Sequence, residues 1–176
     1  MSLKPQDVVV ALKLCIYRSG RPPFSQVASD LAMSPSEVHA AVKRLEAARL
    51  IHGRELNGAP NISALQEFLL HGLKYVFPAE RGEMARGMLT SYAAEPLKDL
   101  ISPGNEPPPV WPFSQGHDRG VALQPLYKTA PMAALKDSVL YQYLALVDAI
   151  RDGRTRERKL AERELSNRLH KIDVTP

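Results

Sequence analysis

The stretch that decides the fold is residues 24–51, FSQVASDLAMSPSEVHAAVKRLEAARLI. Ser34 is a favourable N-cap, and Pro35 suits the first helical position because its missing N–H is no loss there. Glu37 follows three residues after the cap, where its carboxylate completes a capping box. A helix is therefore predicted to begin at Pro35.

This predicted helix has one apolar side and one exposed side. Apolar residues recur at steps of three and four, as on the buried side of a helix, at Val38, Ala41, Val42 and Leu45. The residues left on the other side are Ser36, His39, Ala40, Lys43, Arg44 and Ala47. The preceding segment shows the same spacing at Val27, Ala28 and Leu31, and residues 32–34 form the turn. Two short helices around a tight turn are typical of a helix-turn-helix.

Several residues of this stretch form a pattern known from one family: Val27-Ala28, Leu31, Met33-Ser34-Pro35-Ser36, Val38, Val42-Lys43-Arg44-Leu45-Glu46 and Leu50-Ile51. In this pattern residues 24–51 resemble the DNA-binding core of bacterial winged helix-turn-helix regulators of the MarR-like group. The match covers about a sixth of the chain. Arg49 departs from it, because the family usually has glycine there. Glycine accepts the left-handed conformation that ends a helix, whereas arginine in that conformation costs roughly 1 kcal/mol.

The resemblance implies a sequence-specific regulator of transcription that binds double-stranded DNA. The lone Cys15 and the lack of a signal-peptide pattern favour a cytoplasmic location. The N-terminus of the Pro35 helix would enter the major groove, which accepts one α-helix. The residues expected to contact bases or phosphates on this helix are Ser34, Ser36, His39, Ala40, Lys43 and Arg44. A homodimer would bind two half-sites about one helical turn apart, ~34 Å.

The basic excess of the chain lies in the same part of the sequence. The formal net charge is +4; residues 1–54 contain eight Lys and Arg against four acids, whereas residues 55–176 hold fifteen of each sign. This asymmetry is expected if residues 1–54 face phosphates. Ordinary scatter of surface charge is the alternative.

A winged domain also needs a β-hairpin, the wing, and two segments compete for that role. Residues 54–58 carry an Asn-Gly pair typical of a hairpin turn, but the return strand would run through Pro60, which lacks a ladder donor. The preferred wing pairs residues 73–77 with residues 87–92.

The loop between the strands of the preferred wing contains Arg81 and Arg86. We expect these arginines to hold flanking phosphates or a minor groove. An ordinary hairpin with solvated arginines is the alternative.

Composition changes at Ser102, where the sequence SPGNEPPP begins. Such a segment cannot form a helix or a central strand. We therefore predict three parts: a winged helix-turn-helix domain over residues 1–101, a Pro-rich linker over residues 102–109, and a C-terminal region over residues 110–176. The predicted fold class is α+β, mostly α.

The C-terminal region is predicted to contain a β-hairpin, from residues 110–113 and 121–123, followed by two helices. The first of these helices has an unusually wide apolar face, so the αα-hairpin suits either dimerisation or packing against the N-terminal half. A small-molecule effector is compatible with this arrangement, in a cleft lined by Tyr75, Phe77, Trp111 and Tyr143. A tryptophan in a small chain is otherwise a core or interface anchor.

No pattern points to catalysis, a metal or a cofactor, so we do not predict an enzyme. The five histidines have no ligand spacing, the single Cys15 cannot build a thiolate site, and His117-Asp118 lacks a nucleophile. No signal peptide or membrane-spanning run is predicted. The rival function is a winged-helix module that binds another protein without DNA, because Glu37 and Glu46 interrupt the basic face.

Overall fold

The computed structural model describes residues 1–17, 20–53 and 58–173. The chain is mostly helical with one small sheet, so the predicted α+β class is confirmed. The helices are α1 (Pro5–Ile16), α2 (Phe24–Leu31), α3 (Pro35–Ala47), α4 (Ile62–Glu67), α5 (Leu73–Val76), α6 (Ala130–Lys136), α7 (Ser138–Asp152) and α8 (Thr155–Asp173). The strands are β1 (Arg81–Leu89), β2 (Pro109–Pro112) and β3 (Asp118–Leu123).

Helix α3 begins where the capping residues predicted. The Ser34 hydroxyl accepts a hydrogen bond from the Glu37 amide at 3.2 Å, and the Glu37 carboxylate accepts one from the Ser34 amide at 2.8 Å. These two bonds satisfy donors that would otherwise be orphaned at a helix start. Helix α2 precedes α3 across the turn at residues 32–34, so both predicted helices are present.

The preferred wing is wrong, because residues 73–76 are helical. A π turn over Phe68–Gly72 joins α4 directly to α5. Leu65, Leu69 and Leu73 follow one another at steps of four and are all buried. Continuing the helix therefore buries three leucines on one side, which outweighs the β preference of the sequence after residue 73.

The predicted partner of that wing, near residues 87–92, belongs to a different sheet. Strand β1 runs antiparallel to β2, with Met88 opposite Trp111, and antiparallel to β3, with Ala85 opposite Gly120. The expected hairpin between β2 and β3 is also wrong: both strands form, but they pair in parallel with each other. The three strands thus close on themselves.

Two glycines permit this closure. A Cβ atom on Gly87 would lie 1.9 Å from the Trp111 carbonyl oxygen, and one on Gly120 would lie 1.9 Å from the Pro108 carbonyl oxygen. Any side chain at either position would collide with backbone, so the close approach of the strands requires glycine.

The sheet also crosses the predicted domain boundary. Strand β1 comes from the predicted N-terminal domain, whereas β2 and β3 come from the predicted C-terminal region. One hydrophobic core takes residues from both parts, and α1 packs against both α3 and α7. Pro109, at the end of the predicted linker, already belongs to β2. The 102–109 segment therefore connects two parts of one folded unit instead of separating two domains.

The αα-hairpin is present, since α7 and α8 pack against each other. Residues 143–150 of α7 are all buried. Helices α1 and α8 and a short 3₁₀ turn at Ser91–Ala93 cover that helix. The part of the wide apolar face over residues 143–150 is therefore covered within the chain, whereas Val139 at the start of the helix is 48 % exposed.

Near the C-terminal end of α7, buried Asp148 accepts hydrogen bonds from Thr90 Oγ1 and Trp111 Nε1, both at 2.7 Å, and from Arg151 Nη1 at 2.9 Å. Burial raises the pKa of Asp148, although these donors and the nearby guanidinium oppose the rise. Trp111 is 1 % exposed, whereas Tyr75 is 77 % exposed. The four aromatic residues expected around an effector therefore do not line a common cleft, and Trp111 is a core anchor.

Candidate nucleic-acid interface

The outer side of α3 carries a continuous row of exposed residues. Ser36, His39, Lys43 and Ala47 are exposed and recur at steps of three and four, so they lie along one face. We call this row the α3 ridge. Ser34 is also exposed at its start, while Ala40 is half-buried beside it. The sequence therefore placed five of the six expected α3 contacts on or next to an accessible face.

Arg44 is the sixth, and its predicted exposure is wrong. Its side chain is buried and donates two hydrogen bonds to Asp7 of α1, from Nε at 2.8 Å and from Nη2 at 2.6 Å. Residue 44 is three positions after Ala41 and one before Leu45, on the edge of the face that packs against α1. Asp7 is fully buried, so Arg44 neutralises a carboxylate of the core. In the sequence, the only hint of this ion pair was Asp7, an acidic residue next to the apolar stripe of α1.

Glu37 was expected to interrupt the basic face, but internal donors occupy its carboxylate. Oε2 accepts hydrogen bonds from the amide and the hydroxyl of Ser34, both at 2.8 Å, and Oε1 accepts one from the Tyr127 hydroxyl. These bonds, with Tyr127 the largest contributor, lower the pKa of Glu37 to about 2. Tyr127 precedes α6, so this contact ties the C-terminal part of the chain to the start of α3.

The two arginines expected at a wing tip lie on β1 instead. Arg81 forms a two-pronged ion pair with Asp152, with Nε to Oδ1 at 2.8 Å and Nη2 to Oδ2 at 2.8 Å. Arg86 donates from Nε to the Gly116 carbonyl at 2.7 Å. Both side chains thus brace the sheet and its surroundings, and neither lies on the loop of a hairpin.

A residue that the sequence analysis missed lies beside the ridge. The guanidinium carbon of Arg21 lies 4.7 Å from the centroid of the Phe24 ring, and that ring lies 5.4 Å from the ring of His39. A Cβ atom on Gly58 would be 2.6 Å from Arg21 Nη1. Arg21 therefore links the ridge to the turn at Gly58. In the sequence, the aromatic residue Phe24, three positions after Arg21, indicates that a cation–π contact could hold Arg21 there.

The turn at Gly58 belongs to the first wing candidate. Residues 54–57 lie outside the described residues, but the segments on either side run antiparallel. Ile51 pairs with Pro60, the His52 amide donates to the Ala59 carbonyl at 2.8 Å, and the Gly58 amide donates to the Gly53 carbonyl at 3.2 Å. Pro60 thus takes part in a bridge although it has no amide proton to donate.

Arg49 is a second basic residue near the ridge that the sequence did not single out as a DNA contact. It follows α3 and is exposed, with φ at +60°. The backbone is left-handed at this position, where the sequence pattern favours glycine.

The described residues hold no cluster of three His, Cys, Asp or Glu side chains suited to a metal ion. None of the helices in that part of the chain has the length and apolar character needed to cross a lipid bilayer. Comparison of the chain with family models, with curated proteins and with solved structures found no match. The resemblance of residues 24–51 to MarR-like regulators therefore stays a prediction.

Proposed function

We propose that the protein binds double-stranded DNA by placing α3 in the major groove. The observation that carries this proposal is the α3 ridge, which is exposed along the whole helix and starts with small polar residues. A helix of 13 residues is about 20 Å long, and the major groove is about 12 Å wide, so the first half of α3 fits within it.

Individual roles follow from the exposed groups on the ridge, of which the Ser36 hydroxyl already shares a hydrogen bond with the Ser34 hydroxyl at 3.1 Å. The Ser34 hydroxyl is engaged in the helix cap, so the base contacts belong to Ser36 and His39. Ala40 offers a methyl surface to a thymine methyl group. Lys43 lies further along and reaches a guanine or a phosphate. Arg21, held on Phe24, supplies a further cation beside the ridge.

Arg44, Arg81 and Arg86 are not part of this proposed interface, because the contacts that hold them lie within the fold. The proposal therefore rests on fewer cations than the sequence suggested. Regulation of transcription, a cytoplasmic location, a winged helix-turn-helix of the MarR-like type and a homodimer on a palindromic site belong to the same proposal. Sedimentation with and without duplex measures the dimer directly.

The test replaces Lys43 with alanine and measures duplex binding by fluorescence anisotropy at several salt concentrations. Oligonucleotides selected from a random pool by the parent protein supply the probe. If Lys43 contacts a phosphate, we expect the slope of log Kd against log salt to fall by about 1. If it contacts a base, the loss is about 1–3 kcal/mol and is confined to the preferred sequence.

Lys159→Ala is the matched control, because Lys159 is an exposed lysine on α8, a helix that carries none of the ridge residues. This control should bind like the parent protein. Binding by Lys43→Ala that equals the parent at every salt concentration contradicts the proposed role of the ridge. A parent protein that shows no salt-dependent binding to any duplex contradicts DNA binding altogether.

The second candidate is a module that binds another protein through the same ridge. The observation in its favour is the burial of Arg44, which leaves Lys43 as the only lysine or arginine on the ridge, with Glu46 half-buried nearby. Protein-interaction surfaces need less positive charge than phosphate-binding ones. This candidate replaces the first if the duplex titration of the parent protein is negative.

A further inference from the structure

The C-terminal end of α3 has an unusual residue in a well-defined motif. The Arg49 amide donates to the Glu46 carbonyl at 2.9 Å, and the Leu50 amide donates to the Leu45 carbonyl at 3.0 Å. This pair of bonds is a Schellman motif, which requires a left-handed residue at the position of Arg49. Glycine adopts that conformation without a steric penalty, whereas arginine does not. The chain therefore carries a destabilising residue here.

Helix α2 ends in the same way and provides an internal comparison. The Ala32 amide donates to the Ser29 carbonyl at 3.3 Å, the Met33 amide donates to the Ala28 carbonyl at 2.9 Å, and φ of Ala32 is +52°. Ala32 has the same backbone requirement as Arg49, but its side chain is a single methyl group. The two positions thus separate the effect of the backbone from the effect of the long side chain.

The Arg49 side chain has no polar partner within the described part of the chain. It is exposed, and its guanidinium makes no hydrogen bond or ion pair with any residue that the structure describes. Its backbone is held, by the hydrogen bond from its amide to Glu46 and by one that its carbonyl accepts from Asn61 Nδ2 at 3.3 Å. A strained residue with an unengaged cationic side chain indicates a role outside the chain itself.

We propose that Arg49 binds a phosphate of the DNA backbone at the edge of the groove that α3 enters. This inference rests on the proposed function and adds a residue to it. Because α3 is about 20 Å long and the groove about 12 Å wide, its C-terminal end lies beyond the base edges, at the sugar-phosphate rim. A guanidinium matches a phosphate with two parallel hydrogen bonds, so a single arginine suffices there.

The test measures stability and duplex binding on the same four variants. Arg49→Gly should raise the melting temperature by about 3 °C, because the steric penalty disappears. It should also weaken duplex binding by about tenfold at 0.1 M salt and lower the salt slope by about 1, as the loss of one phosphate contact requires. Stability and affinity thus change in opposite directions.

The other three variants assign the cause. Ala32→Gly should raise the melting temperature by a similar amount and leave duplex binding unchanged. Arg49→Ala should weaken binding like Arg49→Gly without the gain in melting temperature, because alanine keeps the backbone penalty. Arg49→Lys should keep the salt slope of the parent but only part of the affinity, because it retains the charge and loses the two parallel hydrogen bonds.

The outcomes separate this inference from the proposed function. If Arg49→Ala and Arg49→Gly bind duplex like the parent protein while Lys43→Ala binds more weakly, the role of Arg49 is refuted and DNA binding is not. A fall in melting temperature for Arg49→Gly also refutes it, because the side chain then stabilises the fold. Absence of salt-dependent duplex binding by the parent protein overturns both.

Discussion

Replacing Arg44 with methionine tests whether this cation stabilises the core or contacts a partner. The change removes both hydrogen bonds to Asp7 but keeps a long side chain against α1. The side chains of Arg44 and Asp7 are 10 % and 0 % exposed, so Asp7 would be left as a buried carboxylate without a cation, with only the hydrogen bond from the Lys4 amide at 2.8 Å. Breaking such a pair from one side typically costs about 3–5 kcal/mol, which corresponds to roughly 10 °C in melting temperature for a chain of this size.

The assay is urea denaturation of the parent, Arg44→Met, Asp7→Leu and the double variant. Both single variants should be strongly destabilised. The double variant should recover much of the loss, because apolar residues of similar volume replace a buried ion pair at little cost, but not the part due to the hydrogen bond from the Lys4 amide that Asp7 accepts at the start of α1. Arg44→Met should still show the duplex affinity of the parent under conditions where it is folded. A loss below about 1 kcal/mol together with a loss of duplex binding would refute the assignment of Arg44 to the core.

Two further predictions concern ionisable groups. Because the pKa of Glu37 is lowered from its usual value of 4.5 to about 2, its ionisation stabilises the fold above pH 4.5, and this stabilisation is lost as the pH falls towards 2. Solvent screening limits the effect to about 1 kcal/mol, so Glu37→Gln should be less stable than the parent at pH 6 and nearly equal at pH 2.5 in urea titrations, unlike the exposed control Glu67→Gln. Burial raises the pKa of the Cys15 thiol to about 12, so an aromatic disulfide reagent at pH 8 should modify it only after guanidinium unfolds the chain. Rapid modification of the native protein would show that α1 opens readily.

The elements predicted correctly are those whose determinants are local. The start of α3 depends on Ser34, Pro35 and Glu37, which lie within four residues of one another. The α7–α8 hairpin depends on apolar residues at helical spacing over more than thirty residues. In both cases, the residues that decide the structure can be recognised from the sequence without knowledge of distant partners.

The elements predicted wrongly depend on contacts between distant segments. The parallel pairing of β2 and β3 requires β1, which precedes β2 in the chain by about twenty residues and pairs with both. Residues 73–76 favour a strand by composition, yet burial of Leu73 with the leucines of the preceding turns decides for helix. Tertiary packing overrides local preference in each case.

The same division explains the candidate site. The ridge residues were predictable because helical periodicity alone separates an outer from an inner face. Arg44 and Arg81 were not, because their acids, Asp7 and Asp152, lie 37 and 71 residues away. Spacing within a sequence does not reveal which distant carboxylate a cation will meet, and a basic residue near a helix face remains ambiguous until its partner is known.

The two glycines between the strands have a consequence for the history of the chain. At Gly87 and Gly120 even the smallest side chain would overlap a carbonyl oxygen. As long as the strands close on each other, no other residue can replace glycine at these two positions during evolution. The ridge, by contrast, faces outward and is free to diverge with whatever it recognises. Homology to this fold would therefore persist longest in an invariant glycine pair about thirty residues apart, after the recognition residues had changed beyond detection.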